Sequence, residues 1–368
     1  MNLPFSELFR RNSPRYQAQF LEEYCVDVDY DATPIKAGEA YCRLWLVEMH
    51  LAKDVDWLRE RYPVVHAAIR FNHDGKSLTV PYLAEPGHLK ELTKENLNKV
   101  IQYNYPLTPL FPFNNGLVEL QAGLFSMVNS DPIGKFIKTM GRFSELLPVP
   151  NISSLLKIVE PIYRGIEDLI GAGEGHLELG YQQTFSAAGG GGNNDLRAGY
   201  LVAILAEENQ INPDTLCIVN DSLKVVPYKL KEPAFGRSKD FIRDAKPLEG
   251  YSYMLFRIEK RTSQDWESLT QIKELVNKAQ DAVFDGNYDK AKNLLLPAIK
   301  IAIYSSPDLI KVDRENMVLK IQDYLSEIGL QGASTQKRSL FSIMQRLLPV
   351  LDDRIEAELT ALEQIFVQ

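Results

Sequence analysis

Three alternating aspartates, three cysteines and five histidines are the residues of this 368-residue chain best placed to do chemistry. Asp27, Asp29 and Asp31 alternate in VDVDYDAT. Carboxylates at alternate positions of an extended segment project from one face and could share a hard cation. An EF-hand loop would need glycine at Ala32 and glutamate at Gly38, so the remaining calcium reading is a site at the loop ends of a β-sandwich. His50, His66, His73, His88 and His176 show no HExxH or other paired ligand spacing, and His50 and His66 read as packing or surface residues in strands. Cys25, Cys42 and Cys217 lie far apart, form no CxxC, and read as small buried apolar residues of a reducing compartment. Cys42 or Cys25 with a strand histidine is the nucleophilic pair the chain could assemble, which would make it a hydrolase. No GxSxG surrounds a serine. Gly171, Gly173 and Gly175 in GAGEG follow a helix and precede a strand, the reverse of a dinucleotide-binding turn. AAGGGGNND (187–195) lacks the Gly-Lys-Ser/Thr of a P-loop and reads as a mobile hairpin loop.

Two groups of basic residues call for a surface reading. Lys224, Lys229, Lys231, Arg237, Lys239, Arg243 and Lys246 surround Tyr228, Phe235 and Phe241, a composition that could track a phosphate backbone. Glu232, Asp240 and Asp244 dilute that charge, so the segment reads as a solvated face. Lys135, Lys138, Arg142, Lys157 and Arg164 sit opposite apolar helix faces, a pattern compatible with a membrane surface or with ordinary core packing. The net charge of -8 gives no global attraction to nucleic acid or anionic lipid.

The elements that must position these residues change character along the chain. Up to about residue 260, short apolar runs at 39–52, 64–71, 77–83, 116–128, 175–185, 197–207, 222–226 and 251–260 read as strands. Asp74-Gly75 marks a hairpin turn. Two helices interrupt them at about 131–170, the first opening at Asp131-Pro132. After Asp265 the apolar period becomes helical. Residues 272–305 place Ala279, Gly286, Tyr288, Ala291, Leu295 and Ala298 in a pattern that resembles a tetratricopeptide-type helical hairpin. The resemblance implies two closely crossing antiparallel helices, with Gly286 ending the first and Tyr288 packed on the turn, in a unit used for partner binding. The aromatic expected near the helix start is absent, Ile303 replaces a closing proline, and no copy recurs at the family's period of about 34 residues. The hairpin therefore reads as one unit of a small bundle with 312–329 and 338–366.

The expected fold class is α+β. An antiparallel β-sandwich or barrel-like domain over 1–261 carries the helical insertion, and a C-terminal all-α helical bundle occupies 262–368. The expected function is a non-enzymatic protein-interaction or scaffold role. Its contact surface would be the apolar stripe Leu340, Met344, Leu347, Leu351, Ile355, Leu359, Leu362 and Phe366, which needs a protein groove or a second copy to cover it. No catalytic, cofactor or metal residue is assigned and no cofactor is expected. The alternatives are the Cys–His hydrolase and a membrane-surface or calcium-dependent lipid-binding module. The absence of a signal-peptide pattern and of any run of about 18 apolar residues leads to the expectation of a cytoplasmic protein.

Overall fold

A computed structural model describes residues 17–52, 55–56, 59–84, 101–114, 116–128, 175–189, 194–207, 210–232 and 239–330. The chain divides into two compact units, Met1–Thr262 and Ser263–Gln368. Among the described residues, the strands of the first unit pair antiparallel and fall into three sheets. The largest is six-stranded and joins β1 (Gln17–Phe20), β10 (Gly199–Ile204), β14 (Tyr253–Arg261), β2 (Tyr41–His50) and β6 (Ile101–Pro106) in that order, with β7 (Phe111–Pro112) also on β2. A five-stranded sheet joins β3 (Val55–Asp56), β4 (Arg59–His73), β8 (Leu117–Val128) and β9 (Gly175–Ser186), with β5 (Lys76–Ala84) also on β4. A small sheet holds β11 (Leu216–Val219), β12 (Ser222–Val225) and β13 (Lys246–Pro247).

Alternation along the strands explains the layering. One face of the six-stranded sheet sends Cys42, Leu44, Leu46, Leu201, Ala203, Met254 and Phe256 into a core shared with Val65, Ala67 and Ile69 of β4 and Leu120, Ala122 and Leu124 of β8. Its other face sends Val47, Val202, Ile204 and Leu255 against Leu216, Ile218 and Leu223 of the small sheet. A strand covered on both faces has no use for polar residues, and all six residues of β10 are buried. Asp74 and Gly75 both take positive φ (50° and 70°), the geometry of the two-residue hairpin between β4 and β5.

The second unit contains α1 (Thr270–Phe284), a single turn α2 (Tyr288–Lys290), a π-helical segment (Ala291–Leu295), α3 (Leu296–Ser305) and α4 (Lys311–Glu327). Gly286 ends α1 at φ 74°, with its own N–H on the Val283 carbonyl and the Asn287 N–H on that of Ala282. This paired closure satisfies the last carbonyls and needs a left-handed residue at Gly286. Pro297 explains the π segment: it has no N–H to give, and its ring crowds the carbonyl four residues earlier, so the preceding turn widens. Ala279 and Ala291 are fully buried, whereas Tyr288 is 51% exposed.

The expected fold class is corrected by this arrangement. The described residues form a mixed α and β architecture, mostly strands in three antiparallel sheets. A C-terminal all-α bundle is not shown. Only three α-helices longer than one turn occur among the described residues, and the stretch that was to complete the bundle, 338–366, lies outside them. The physical reason for the error is that a helical period shows that a segment is amphipathic, not what covers its apolar face. The expected insertion at 131–170 also lies outside the described residues.

Candidate functional site

A β-bulge sets up a polar cluster in the first unit. The β2–β14 register runs Phe256↔Leu46 and then Leu255↔Glu48, so Val47 is the extra residue. An extra residue lets two successive side chains leave the strand on one side. Val47 joins the core with the small sheet, and Glu48 reaches the β11–β12 hairpin. Glu48 is fully buried and accepts hydrogen bonds from the Leu223 N–H (2.6 Å), Ser222 Oγ (3.1 Å) and Tyr253 Oη (3.0 Å). Burial pushes its carboxyl above the ordinary value, against the pull of those three donors.

The hairpin held by Glu48 turns through Asn220 and Asp221, both at positive φ (53° and 55°). Asn and Asp tolerate this conformation, which matches strand twist in two-residue hairpins. The turn presents Asp221 to a row of side chains across the six-stranded sheet, where Tyr200 pairs with Arg257, Arg257 with Trp45, and Trp45 with Pro106. Asp221 accepts from the Tyr200 hydroxyl, from Arg257 Nη1 at 3.2 Å and from Asn104 Nδ2 at 3.3 Å. Burial raises the Tyr200 phenol, and the hydrogen bond to Asp221 adds to the shift.

Trp45 is the centre of the row. The Arg257 guanidinium lies 4.9 Å and that of Arg43 5.4 Å from its ring centroid, and its indole N–H donates to Glu259 Oε2 at 2.8 Å. Glu259 also accepts from Arg261 Nε. Both carboxylates of the cluster, Asp221 and Glu259, are thus engaged, while Arg43 has no carboxylate oxygen within ion-pair distance among the described residues. Arg43 Nε and Asn104 Oδ1 are buried without a hydrogen-bond partner among those residues. Burial lowers the Arg43 pKa, and the attraction of Glu259 only partly opposes it. Three arginines face two carboxylates beside a half-buried indole. Such a surface suits a planar anion, because guanidinium binds carboxylate through paired N–H groups and aromatic rings hold guanidinium flat.

The residues singled out from sequence fall elsewhere. Asp27 Oδ2 accepts from the Asn220 N–H at 2.7 Å, Asp29 Oδ1 meets Lys239 Nζ at 3.3 Å, and Asp31 Oδ2 meets Lys260 Nζ at 2.6 Å. The three carboxylates have separate partners, and among the described residues no three metal-ligating side chains converge. Hydrogen bonds from Lys260 and then Thr33 hold Asp31 well below the usual carboxylate range. Cys42 lies in the main core, and Cys25 and Cys217 share a small core with Val219, Val226 and Phe241. Burial pushes the Cys25 and Cys217 thiols up to about 12 and the Cys42 thiol up as well, and it lowers His66 to about 3. Thiols kept protonated at neutral pH are poor nucleophiles. In the basic segment Lys229 pairs with Asp214 at 3.3 Å and Lys239 with Asp29. The stripe Leu340, Met344, Leu347, Leu351, Ile355, Leu359, Leu362 and Phe366 lies outside the described residues. No helix among the described residues is long and apolar enough to cross a membrane.

Arg43, Trp45, Asp221 and Arg257 escaped sequence reasoning. Their signal is polar alternation inside apolar strands, YCRLWLVE and LFRIEKR, together with the Asn220-Asp221 turn between CIV and SLKV. No protein-family model matches this sequence, and neither curated proteins nor solved structures show a significant match to it.

Proposed function

We propose that this chain acts by binding a protein partner rather than by catalysis, and that the Arg43–Trp45–Arg257 face receives an acidic segment of that partner. The observation that carries the reading is Arg43, a partly desolvated guanidinium laid on an indole with no carboxylate of its own among the described residues. A carboxylate arriving there would pair with the guanidinium and offset the cost of burying the charge. Among the described residues, the three thiols lie buried in apolar cores, His66 is buried and neutral, and Glu48 is held on the hairpin. A reducing, cytoplasmic compartment accords with three free buried cysteines.

The test is a titration of a fluorescein-labelled glutamate-rich peptide followed by anisotropy. Saturable binding that weakens with salt is expected. Arg43→Gln removes a charge-assisted hydrogen bond of about 1.5–3 kcal/mol, a loss of roughly tenfold or more in affinity. No binding by the wild type, or equal binding by the variant, rejects the proposal.

A further inference from the structure

We propose that Cys25 and Cys217 form a redox-sensitive pair that a hydroperoxide converts to a disulfide, stapling the segment around Glu23–Cys25 to β11. The two residues are remote in sequence but neighbours in the fold. Val26 and Ile218 make an isolated parallel β-bridge, and the Asp27 N–H donates to the Ile218 carbonyl at 3.1 Å. Cys217 immediately precedes the bridged Ile218, and Cys25, the last residue of the 3-10 turn, immediately precedes the bridged Val26. The packing agrees: Val26 and Ile218 enter the core under the six-stranded sheet, while Cys25 and Cys217 enter the separate small core with Phe241. At the bridge the two segments run about 4.8 Å apart, and a disulfide spans roughly 4.4–6.8 Å between Cα atoms, so the adjoining cysteines of the shared small core are within a short adjustment of bonding. Cys42 faces the opposite core and has no part in this pair.

The chemistry balances with a hydroperoxide as oxidant. The thiolate of one cysteine attacks the peroxide oxygen, the O–O bond breaks, and a sulfenic acid forms as hydroxide leaves and takes up a proton. The second thiol attacks that sulfur, the S–S bond forms, and the sulfenic oxygen leaves as water. With hydrogen peroxide the pair loses two protons and two electrons, and two waters result. Burial keeps both thiols protonated at neutral pH, so the reaction is slow and proceeds from locally opened molecules. Opening is easy to locate, since Glu23–Cys25 is a single 3-10 turn next to an isolated bridge. The staple would fasten the base of the hairpin whose tip carries Asp221.

The experiment treats the native full chain with hydrogen peroxide and maps peptides by mass spectrometry without reduction. The expected product is one Cys25–Cys217 cross-link, two hydrogen masses lighter than the separate peptides, with a higher thermal midpoint that reverts on addition of a thiol reductant. Cys42→Ser keeps the cross-link, and Cys25→Ser or Cys217→Ser abolishes it. The wild-type map decides the matter even if a variant folds poorly. Sulfinic acid on single cysteines, cross-links to Cys42, intermolecular dimers, or a pair that forms only in denaturant would each overturn the proposal.

Discussion

Replacing Glu48 by alanine removes the acceptor for three donors at once. The hydroxyls of Ser222 and Tyr253 can turn to other acceptors, but the Leu223 N–H is fixed in the hairpin. A buried donor left alone costs about 1–3 kcal/mol. Lost side-chain packing adds to this, while relief of carboxylate desolvation offsets part of it. The expected net loss is about 2–3 kcal/mol. Glu48→Gln separates charge from shape. Its carbonyl can accept from Leu223, and its amide can donate to the two hydroxyl oxygens. The sign of the pH effect follows from the raised carboxyl. Protonated Glu48 is favoured by the native state, so this stabilisation is complete below the unfolded value of 4.5 and is lost as pH rises through the higher folded value. The Gln variant mimics the protonated form and lacks that loss. Its stability relative to the wild type should therefore rise from pH 4.5 upward and then level off. Urea unfolding at a series of pH values, with hydrogen exchange at the Leu223 amide, reads both effects. A pH-independent difference between the Gln variant and the wild type, or unchanged Leu223 protection in the Ala variant, would refute the reasoning.

Gly199→Ala should destabilise the first unit by about 2–4 kcal/mol, since φ is +131° and an added Cβ would lie 2.9 Å from Tyr30 Cε2 and Oη; thermal unfolding measures it, and Tyr30→Ala in the same chain should recover only the steric share. Asp31→Asn should cost less than about 1 kcal/mol, because its partner Lys260 meets an exposed carboxylate. That contribution belongs above the unfolded value of 3.8 and is lost as pH falls, so wild type and variant should converge in acid unfolding curves. Peroxide should link Cys25 to Cys217 and leave Cys42 reduced, as peptide mapping would show.

Much of the sheet structure was legible because alternation is a local property. The runs at 64–71 and 77–83 with Asp74-Gly75 between them became β4 and β5, paired through His73↔Lys76. Shorter or more polar strands were not: β1 and β6 owe their conformation to neighbours remote in sequence. The candidate site was less legible still. Arg43 and Trp45 look like surface residues of a half-buried strand, and only the register of β2 with β14 brings Arg257 and Glu259 beside them. The bulge at Val47, which aims Glu48 at the hairpin, leaves no mark in the local composition. The alternating aspartates misled for the opposite reason. Their spacing is local, but each finds a different remote partner, Asn220, Lys239 or Lys260.

The indole N–H of Trp45 offers the most direct test of partner binding at this face. It donates to Glu259 on the ring that both guanidinium groups approach, so an acidic peptide bound there must perturb it. Proton–nitrogen NMR on the full chain, with the signal assigned through Trp45→Phe, follows this one group during titration with the glutamate-rich peptide. The account predicts a saturable shift of the Trp45 signal, absent in Arg43→Gln, while the other two tryptophans stay in place. A bound peptide that leaves the Trp45 signal unmoved would contradict it.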